Sequence, residues 1–120
     1  MSYDKNNIFA KILRGEIPCK KVYENENVLA FYDVNPQKKI HVLLIPKGEY
    51  IDLDDFNSKA SDKEILEFNK AILEVVNILK ISNKNNGYRI LSNIGSDGGQ
   101  EVPHLHYHIF GGEKIGKMVS

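Results

Sequence analysis

The stretch Pro103-His104-Leu105-His106-Tyr107-His108-Ile109-Phe110-Gly111-Gly112 decides how the rest of the chain is read. Three of the four histidines stand at alternate positions inside it. An extended strand has a side-chain period of two. The alternation therefore predicts a strand with His104, His106 and His108 on one face and Leu105, Tyr107 and Ile109 on the other. A single histidine in an apolar run reads as a core residue with satisfied ring nitrogens, but three in register would each need two polar partners in the same place. Histidine is also the side chain whose ordinary pKa lies near neutrality, so this face is read as a chemical site.

Three chemistries use clustered imidazoles. A mononuclear metal site takes a His-x-His pair plus a distant ligand, for which His41 or an acidic side chain is available. Against it, the three histidines would be spread over about 13 Å at strand rise, so that one ion gathers two of them at most. The second chemistry is general acid–base catalysis by one histidine. The third is nucleophilic attack at phosphorus by a neutral imidazole whose other nitrogen is held by a partner. The preceding run, Gly95-Ser96-Asp97-Gly98-Gly99-Gln100, tips the choice toward phosphate. Its glycines let backbone N–H groups approach an anion, and Asn93, Ser96 and Gln100 add neutral donors.

Upstream, Asn7 is placed to cap a short helix over residues 8–14 that Gly15 stops, with Ile8 and Ile12 on one side. Residues 21–24 and 28–34 read as two strands joined by a turn at Asn25-Glu26-Asn27, the second ended by Asn35-Pro36. Residues 40–46 are too uniformly apolar for a half-exposed strand and are expected at the sheet centre. The acidic segment 49–58 reads as a loop with a helical turn in it. Ser61-Asp62-Lys63-Glu64 is a capping box, followed at helical spacing by Ile65, Phe68, Ile72, Val75 and Leu79, which predicts a long amphipathic helix to about Lys80. A fourth strand is expected over 88–93, and the histidine stretch supplies the fifth. Strands flanking one long helix indicate an α+β fold with an antiparallel sheet.

The chain has 120 residues, a length that suits one domain over 1–120 able to bury its own core. Its 42% hydrophobic and 27% charged content is that of an ordinary globular chain. Sixteen basic residues balance sixteen acidic ones, which argues against a general nucleic-acid surface. Cys19 is the single cysteine, so neither an intrachain disulfide nor a cysteine-based metal site is available. No apolar run reaches membrane-spanning length, and Met1-Ser2-Tyr3-Asp4-Lys5-Asn6-Asn7 lacks the apolar core of a signal peptide. The expected setting is cytoplasmic, with no membrane or nucleic-acid partner.

With these residues assembled, His104-Leu105-His106-Tyr107-His108-Ile109-Phe110 resembles the signature of the histidine-triad (HIT) superfamily, three histidines alternating with apolar residues. The resemblance covers nearly the whole chain. Ile8-Phe9 with Gly15-Glu16-Ile17-Pro18, residues 29–36, His41 with Ile45-Pro46-Lys47, and Gly87-Tyr88-Arg89 leading to Asn93 and Gly95-Ser96-Asp97-Gly98-Gly99-Gln100 are similar to the Hint branch, the purine nucleoside phosphoramidases. Gly111-Gly112 favours that branch over the dinucleoside polyphosphate hydrolases.

The resemblance implies a HIT-like fold: a five-stranded antiparallel sheet with one long helix and a short N-terminal helix. It implies a homodimer that needs no cofactor and no metal and acts on purine nucleotides of the AMP or GMP class. His106 would attack the α-phosphorus of a nucleoside 5′-phosphoramidate or aminoacyl-adenylate, giving a nucleotidyl-histidine that water cleaves. His104 would orient it through its backbone carbonyl and assist the leaving group. His108 and His41 would contact the phosphate, with Asn93, Gln100 and the Gly99 backbone beside them. Asp33 matches the ribose carboxylate, and Ile8, Phe9, Ile12, Phe31 and Val34 match the base pocket. Two positions depart from the pattern. Glu101 stands where a serine is common, and Pro103 where an aromatic residue often stands; a carboxylate near phosphate is repelled unless protonated or turned away. The alternatives are a nucleotide-binding module with weak catalysis and a dinucleoside polyphosphate hydrolase.

Overall fold

The computed structural model describes residues 2–119. A short helix α1 (Ile8–Leu13) is followed by three strands, β1 (Lys21–Glu24), β2 (Val28–Tyr32) and β3 (Ile40–Pro46). Helices α2 (Leu53–Lys59) and α3 (Asp62–Ile78) come next, then a 3-10 turn at Asn83–Asn85, β4 (Arg89–Leu91), the one-turn helix α4 (Gly95–Gly98) and β5 (Tyr107–Gly111). The five strands form one antiparallel sheet in the order β1-β2-β3-β5-β4, so the apolar β3 lies at its centre as its composition predicts. No helix among the described residues is long and apolar enough to cross a membrane.

The helix starts follow local chemistry. Asn7 Oδ1 accepts from the Ala10 N–H at 2.9 Å and so satisfies one of the orphan donors of α1. At Ser61 the hydroxyl accepts from the Glu64 N–H while the Glu64 carboxylate takes the Ser61 N–H, a closed capping box at the start of α3. Helix α2 replaces the loop expected over 49–58. Asp52 caps it by accepting from the Asp55 N–H at 2.8 Å, Asp54 and Asp55 favour its N-terminal dipole, and Phe56 is the anchor that buries it.

Directly opposed residues of an antiparallel pair share a face, and the register sorts the sheet into two. One face carries Val28, Ala30, Val42, Leu44 and Ile109, packed against Phe56, Phe68, Ala71, Val75 and Val76 from α2 and α3. The other carries Leu29, Phe31, Leu43 and Ile45, covered by Phe9 of α1, and continues across β5 and β4 through His41, His108, Phe110, Leu91 and Arg89. The helix face is sealed by apolar packing. Imidazoles occupy the middle of the opposite one.

Three strand limits differ from expectation. β2 ends at Tyr32 rather than Val34, β4 is confined to Arg89–Leu91, and β5 begins only at Tyr107. The last matters most, because only His108 of the three alternating histidines sits on the ladder. His104 and His106 lie on an irregular approach to it, joined to the fold by contacts of their own. The glycine-rich run is also more ordered than a plain turn. It winds once as α4 and closes at Gly99, whose φ of +77° suits a residue without a Cβ.

Candidate active site

His104 is completely buried, and both of its ring nitrogens are engaged. Nε2 lies 2.8 Å from the Pro46 carbonyl oxygen. A carbonyl only accepts, so Nε2 carries the proton and Nδ1 must be an acceptor. The hydroxyl of Tyr3 donates to it at 2.6 Å. Burial drives the pKa of His104 down to about 4, the Pro46 bond opposing only part of that and the neighbouring His106 adding to it. The residue is a neutral strut with no free nitrogen. It therefore does not reach a leaving group, and the expectation that it assists one gives way to a role in support.

The same logic fixes His106. Its Nδ1 is 2.8 Å from the carbonyl oxygen of His104, so Nδ1–H donates and the neutral ring keeps the Nε2 lone pair free. Burial lowers its pKa, against the raising influence of the His104 carbonyl bond and of the Asp33 and Glu101 carboxylates. Its own backbone carbonyl accepts from the Ser92 hydroxyl at 2.9 Å, tying the approach segment to the end of β4. The edge of Phe9 meets the His106 ring at 4.9 Å between centroids, with Phe31 in turn against Phe9 at 5.7 Å. His106 is thus held on one side by a backbone carbonyl and walled on another by aromatic rings.

His41 and His108 form a second pair. The Gln37 N–H donates to His41 Nδ1 at 3.2 Å, which puts the His41 proton on Nε2. That proton faces His108 Nδ1 at 2.9 Å and Asp33 Oδ2 at 3.4 Å. His108 Nδ1 accepts, so neutral His108 carries its own proton on Nε2. Desolvation pushes His41 down against the pull of Asp33, and His108 is brought to about 4 by burial first and by His106 and His41 after it. All four imidazoles are consequently neutral at pH 7, and they offer an anion N–H dipoles rather than full charge.

The donor atoms of Asp33, His41 and His108 lie within 4.8 Å of one another, a two-histidine, one-carboxylate set of the kind that holds a divalent metal. This differs from the expected His-x-His pairing, because only one member of the triad takes part. Within the set, the close contact between His41 Nε2 and His108 Nδ1 is already accounted for as a hydrogen bond.

The remaining predicted residues divide. Asp33 is half-buried beside His41, and its Oδ1 accepts from the Asn35 N–H at 2.8 Å, which fixes the carboxylate at the turn after β2. Phe9 and Phe31 are buried and Ile12 half-buried in the same apolar cluster, whereas Ile8 and Val34 are exposed, Val34 at 83%. Asn93 lies with His108, Phe110, Arg89, Gln37 and Lys38 on the wall of a cavity of about 530 Å³. Gln100 stands differently from the expected phosphate donor. Its Nε2 donates to the carbonyls of Ile51 and Val102 at 2.7 and 3.0 Å, so both amide hydrogens are spent clasping the segment before α2 to the approach of the histidine stretch. The N–H groups of Gly99 and Gln100 likewise close the α4 turn on Ser96 and Gly95. Glu101 is exposed, so its carboxylate meets water rather than the buried rings.

Tyr3, Ser92 and the Pro46 carbonyl are the partners that the sequence does not advertise. Tyr3 is separated from His104 by 101 positions, and a tyrosine in a polar N-terminal segment carries no periodic or motif signal.

The chain as a whole is similar to known proteins. The model of the HIT domain matches residues 14–115. A HIT-like protein of Azospirillum brasilense is 54% identical over 119 residues, spanning 99% of this chain and 96% of that protein. Among solved structures, a HIT family hydrolase from Clostridium thermocellum superposes with a TM-score of 0.85 at 37% identity, covering 98% of this chain and 99% of the other. A histidine triad protein from Clostridium difficile gives 0.82 at 41% identity over 97% and 98% of the two chains. The family match spans most of the chain and the relatives align over nearly its full length, so the chain belongs to the HIT domain family.

Proposed function

We propose that the chain is a nucleotidyl hydrolase, a single domain working as a homodimer in the cytoplasm, that cleaves purine nucleoside 5′-phosphoramidates or aminoacyl-adenylates through a nucleotidyl-histidine. One observation carries the reading: the His106 Nδ1–H is committed to the His104 carbonyl, which leaves Nε2 as a lone pair on a ring that burial keeps neutral. In the reaction Nε2 attacks the α-phosphorus and forms a phosphorus–nitrogen bond while the bond to the leaving amine or carboxylate breaks. The positive charge that develops on the ring is spread through Nδ1–H onto the His104 carbonyl. A departing amine takes its proton from water, since His104 has no nitrogen to offer. Water then attacks the same phosphorus, releases the nucleoside monophosphate and restores the free ring.

His108 presents Nε2–H to the phosphoryl oxygens, and His41 stands behind it as the donor to its Nδ1. Arrival of a phosphate anion favours protonation of this pair, so the site gains positive charge when substrate brings negative charge. Asp33 is assigned to the ribose hydroxyls, Phe9, Phe31 and Ile12 to the purine, with Ile8 and Val34 at its exposed rim, and Asn93 to the phosphate. Gln100 and Gly99 shape the α4 turn that borders it. The homodimer is supported by apolar side chains left in solvent, Leu66, Leu73 and Ile78 on α3, Tyr88 just before β4 and Leu91 on it, and by the position of β4 at the sheet edge.

Replacing His106 by Asn is expected to abolish turnover of a fluorogenic adenosine phosphoramidate while retaining AMP binding by calorimetry. Turnover that survives in His106→Asn overturns the assignment of the nucleophile. An inactive wild-type protein that binds AMP supports the binding-module alternative instead.

A further inference from the structure

The approach to β5 poses a physical problem. The carbonyl that holds His106 belongs to His104, yet residue 104 precedes the strand and has no ladder partner. Its N–H turns back on the Val102 carbonyl at 2.9 Å, and the next N–H, of Leu105, reaches the Tyr50 carbonyl at 2.8 Å. The second bond helps to hold the His104 carbonyl, because that carbonyl and the Leu105 N–H belong to one planar peptide unit. The second anchor of this residue is its side chain, fastened at Nε2 to the Pro46 carbonyl at the end of β3 and at Nδ1 to the hydroxyl of Tyr3.

The Tyr3 end of this tether is built, not incidental. The Tyr3 ring meets the His104 ring edge-on at 5.6 Å between centroids. Asp4, next to it, accepts from the Asn7 N–H and from Asn7 Nδ2–H through its carbonyl, at 3.2 and 2.7 Å. Asn7 in turn caps α1, and α1 delivers Phe9 against both His104 and His106. The N-terminal segment is therefore one continuous strap, pinned at Tyr3, at Asn7 and at Phe9, and it lies directly behind the attacking ring.

Chemistry makes the hydroxyl hard to replace. With Nε2–H given to Pro46, the buried Nδ1 of His104 is a pure acceptor, and Tyr3 Oη–H is the donor that reaches it. Without that donor, Nδ1 is a buried orphan in an apolar setting, and protonating the ring to escape is opposed by the same burial that holds its pKa near 4. The ring is left to shift, its tautomer still set by the Pro46 carbonyl. That movement loosens one of two anchors and leaves the Leu105 N–H bond to hold the peptide whose carbonyl orients His106.

We propose that Tyr3 is a positioning residue of the active site: its hydroxyl holds the His104 ring in place, and through the His104 carbonyl it steadies the orientation of His106. The catalytic part of this statement rests on the hydrolase reading above. The placement of the His104 ring does not, and the experiment separates them. Tyr3→Phe keeps the ring and its edge contact and removes only the donor. On 15N-histidine-labelled protein, the His104 Nδ1 resonance is expected to move or broaden on this change, and the hydrogen-bonded His106 Nδ1–H signal to exchange faster. With an adenosine phosphoramidate, kcat is expected to fall roughly tenfold and KM to stay within about twofold, the pattern of a lost orientation rather than a lost binding contact. The Lys5→Ala change in the same segment serves as the control and leaves both readouts unaltered. Unchanged ring resonances and unchanged kcat in a folded Tyr3→Phe protein overturn the proposal. So does a change in KM alone, which would make Tyr3 a substrate contact. If wild-type protein hydrolyses none of the substrates, the hydrolase reading falls, and the ring resonances still decide whether Tyr3 holds His104.

Discussion

The two faces of the sheet are cut from the same strands and put burial to opposite uses. On β3, Val42 and Leu44 point to the long helix while His41 and Leu43 point away; on β5, Ile109 points to the helix while His108 and Phe110 point away. Under α3 burial stabilises by removing apolar area from water, and what matters at each position is volume and shape. On the other face burial takes imidazoles out of water, and what matters is which atom meets which. His104 Nε2 needs a carbonyl, His106 Nδ1 needs another, and His41 Nδ1 needs an N–H. The first face tolerates similar shapes. The second tolerates almost no exchange of donors for acceptors.

The sharpest way to break this comparison is on the helix face. Phe68 is almost fully buried and packs its ring against those of Phe56 and Tyr107. Phe68→Ala should cost about 3–5 kcal/mol of stability through lost transfer energy and the cavity left behind. Urea unfolding measures that loss. At a temperature where the variant is still folded, turnover per folded molecule should stay close to that of the unaltered protein. A parallel collapse of turnover would mean that the two faces are mechanically one.

What was legible in the sequence follows the same division. The helix face declared itself through periodicity, because Phe68, Val75 and their neighbours recur at helical spacing behind a capping box, and apolar packing obeys that period. The centre of the sheet was equally readable from the unbroken apolar run of β3. The histidines were legible as a cluster but not as individuals. Alternation placed all three on one strand face, whereas the ladder starts after His106, since the tethers of His104 and the Gln100 clasp hold the approach in an irregular path. Those tethers run to Pro46, Tyr3 and Ile51, remote in sequence, and no local pattern encodes a contact of that range. The helix α2 was hidden for a different reason. Its acidic composition reads as loop, although Asp52, Asp54 and Asp55 are placed where a helix N-terminus favours them.

Acid should act selectively on the histidine face. His104 ordinarily titrates at 6.5 and in the fold at about 4, so between these values the unfolded chain binds a proton that the folded chain refuses. More protons on the unfolded state means that stability rises with pH across this window, is fully present above pH 6.5 and is lost as pH falls toward 4. The loss for His104 alone is about 3 kcal/mol at most. His106 and His108, both lowered by burial, add in the same direction. Urea midpoints taken from pH 7.5 downward should trace this slope, and Phe68→Ala should show the same slope from a lower starting point. A flat profile through the window would mean that His104 is not held neutral.

The smallest expected effect belongs to Glu101. The resemblance makes it the residue that departs from a common serine, and a carboxylate pressed against a phosphate would slow the reaction through repulsion. In the structure it is exposed, and its influence on His106 is a raising one, weaker than the His104 carbonyl bond and the Asp33 carboxylate. Glu101→Ser therefore acts by removing one of the charges that hold the His106 pKa up. The acid limb of the phosphoramidase pH profile, which reports protonation of the nucleophile, should shift to lower pH by less than about one unit. At neutral pH, where His106 is already unprotonated, the rate should rise only to the extent that repulsion of the phosphate is relieved, and high salt should shrink that gain by screening an exposed charge. A large gain that salt does not touch would place the carboxylate against the phosphate itself, and so bring a negative charge to the phosphate beside rings that are neutral.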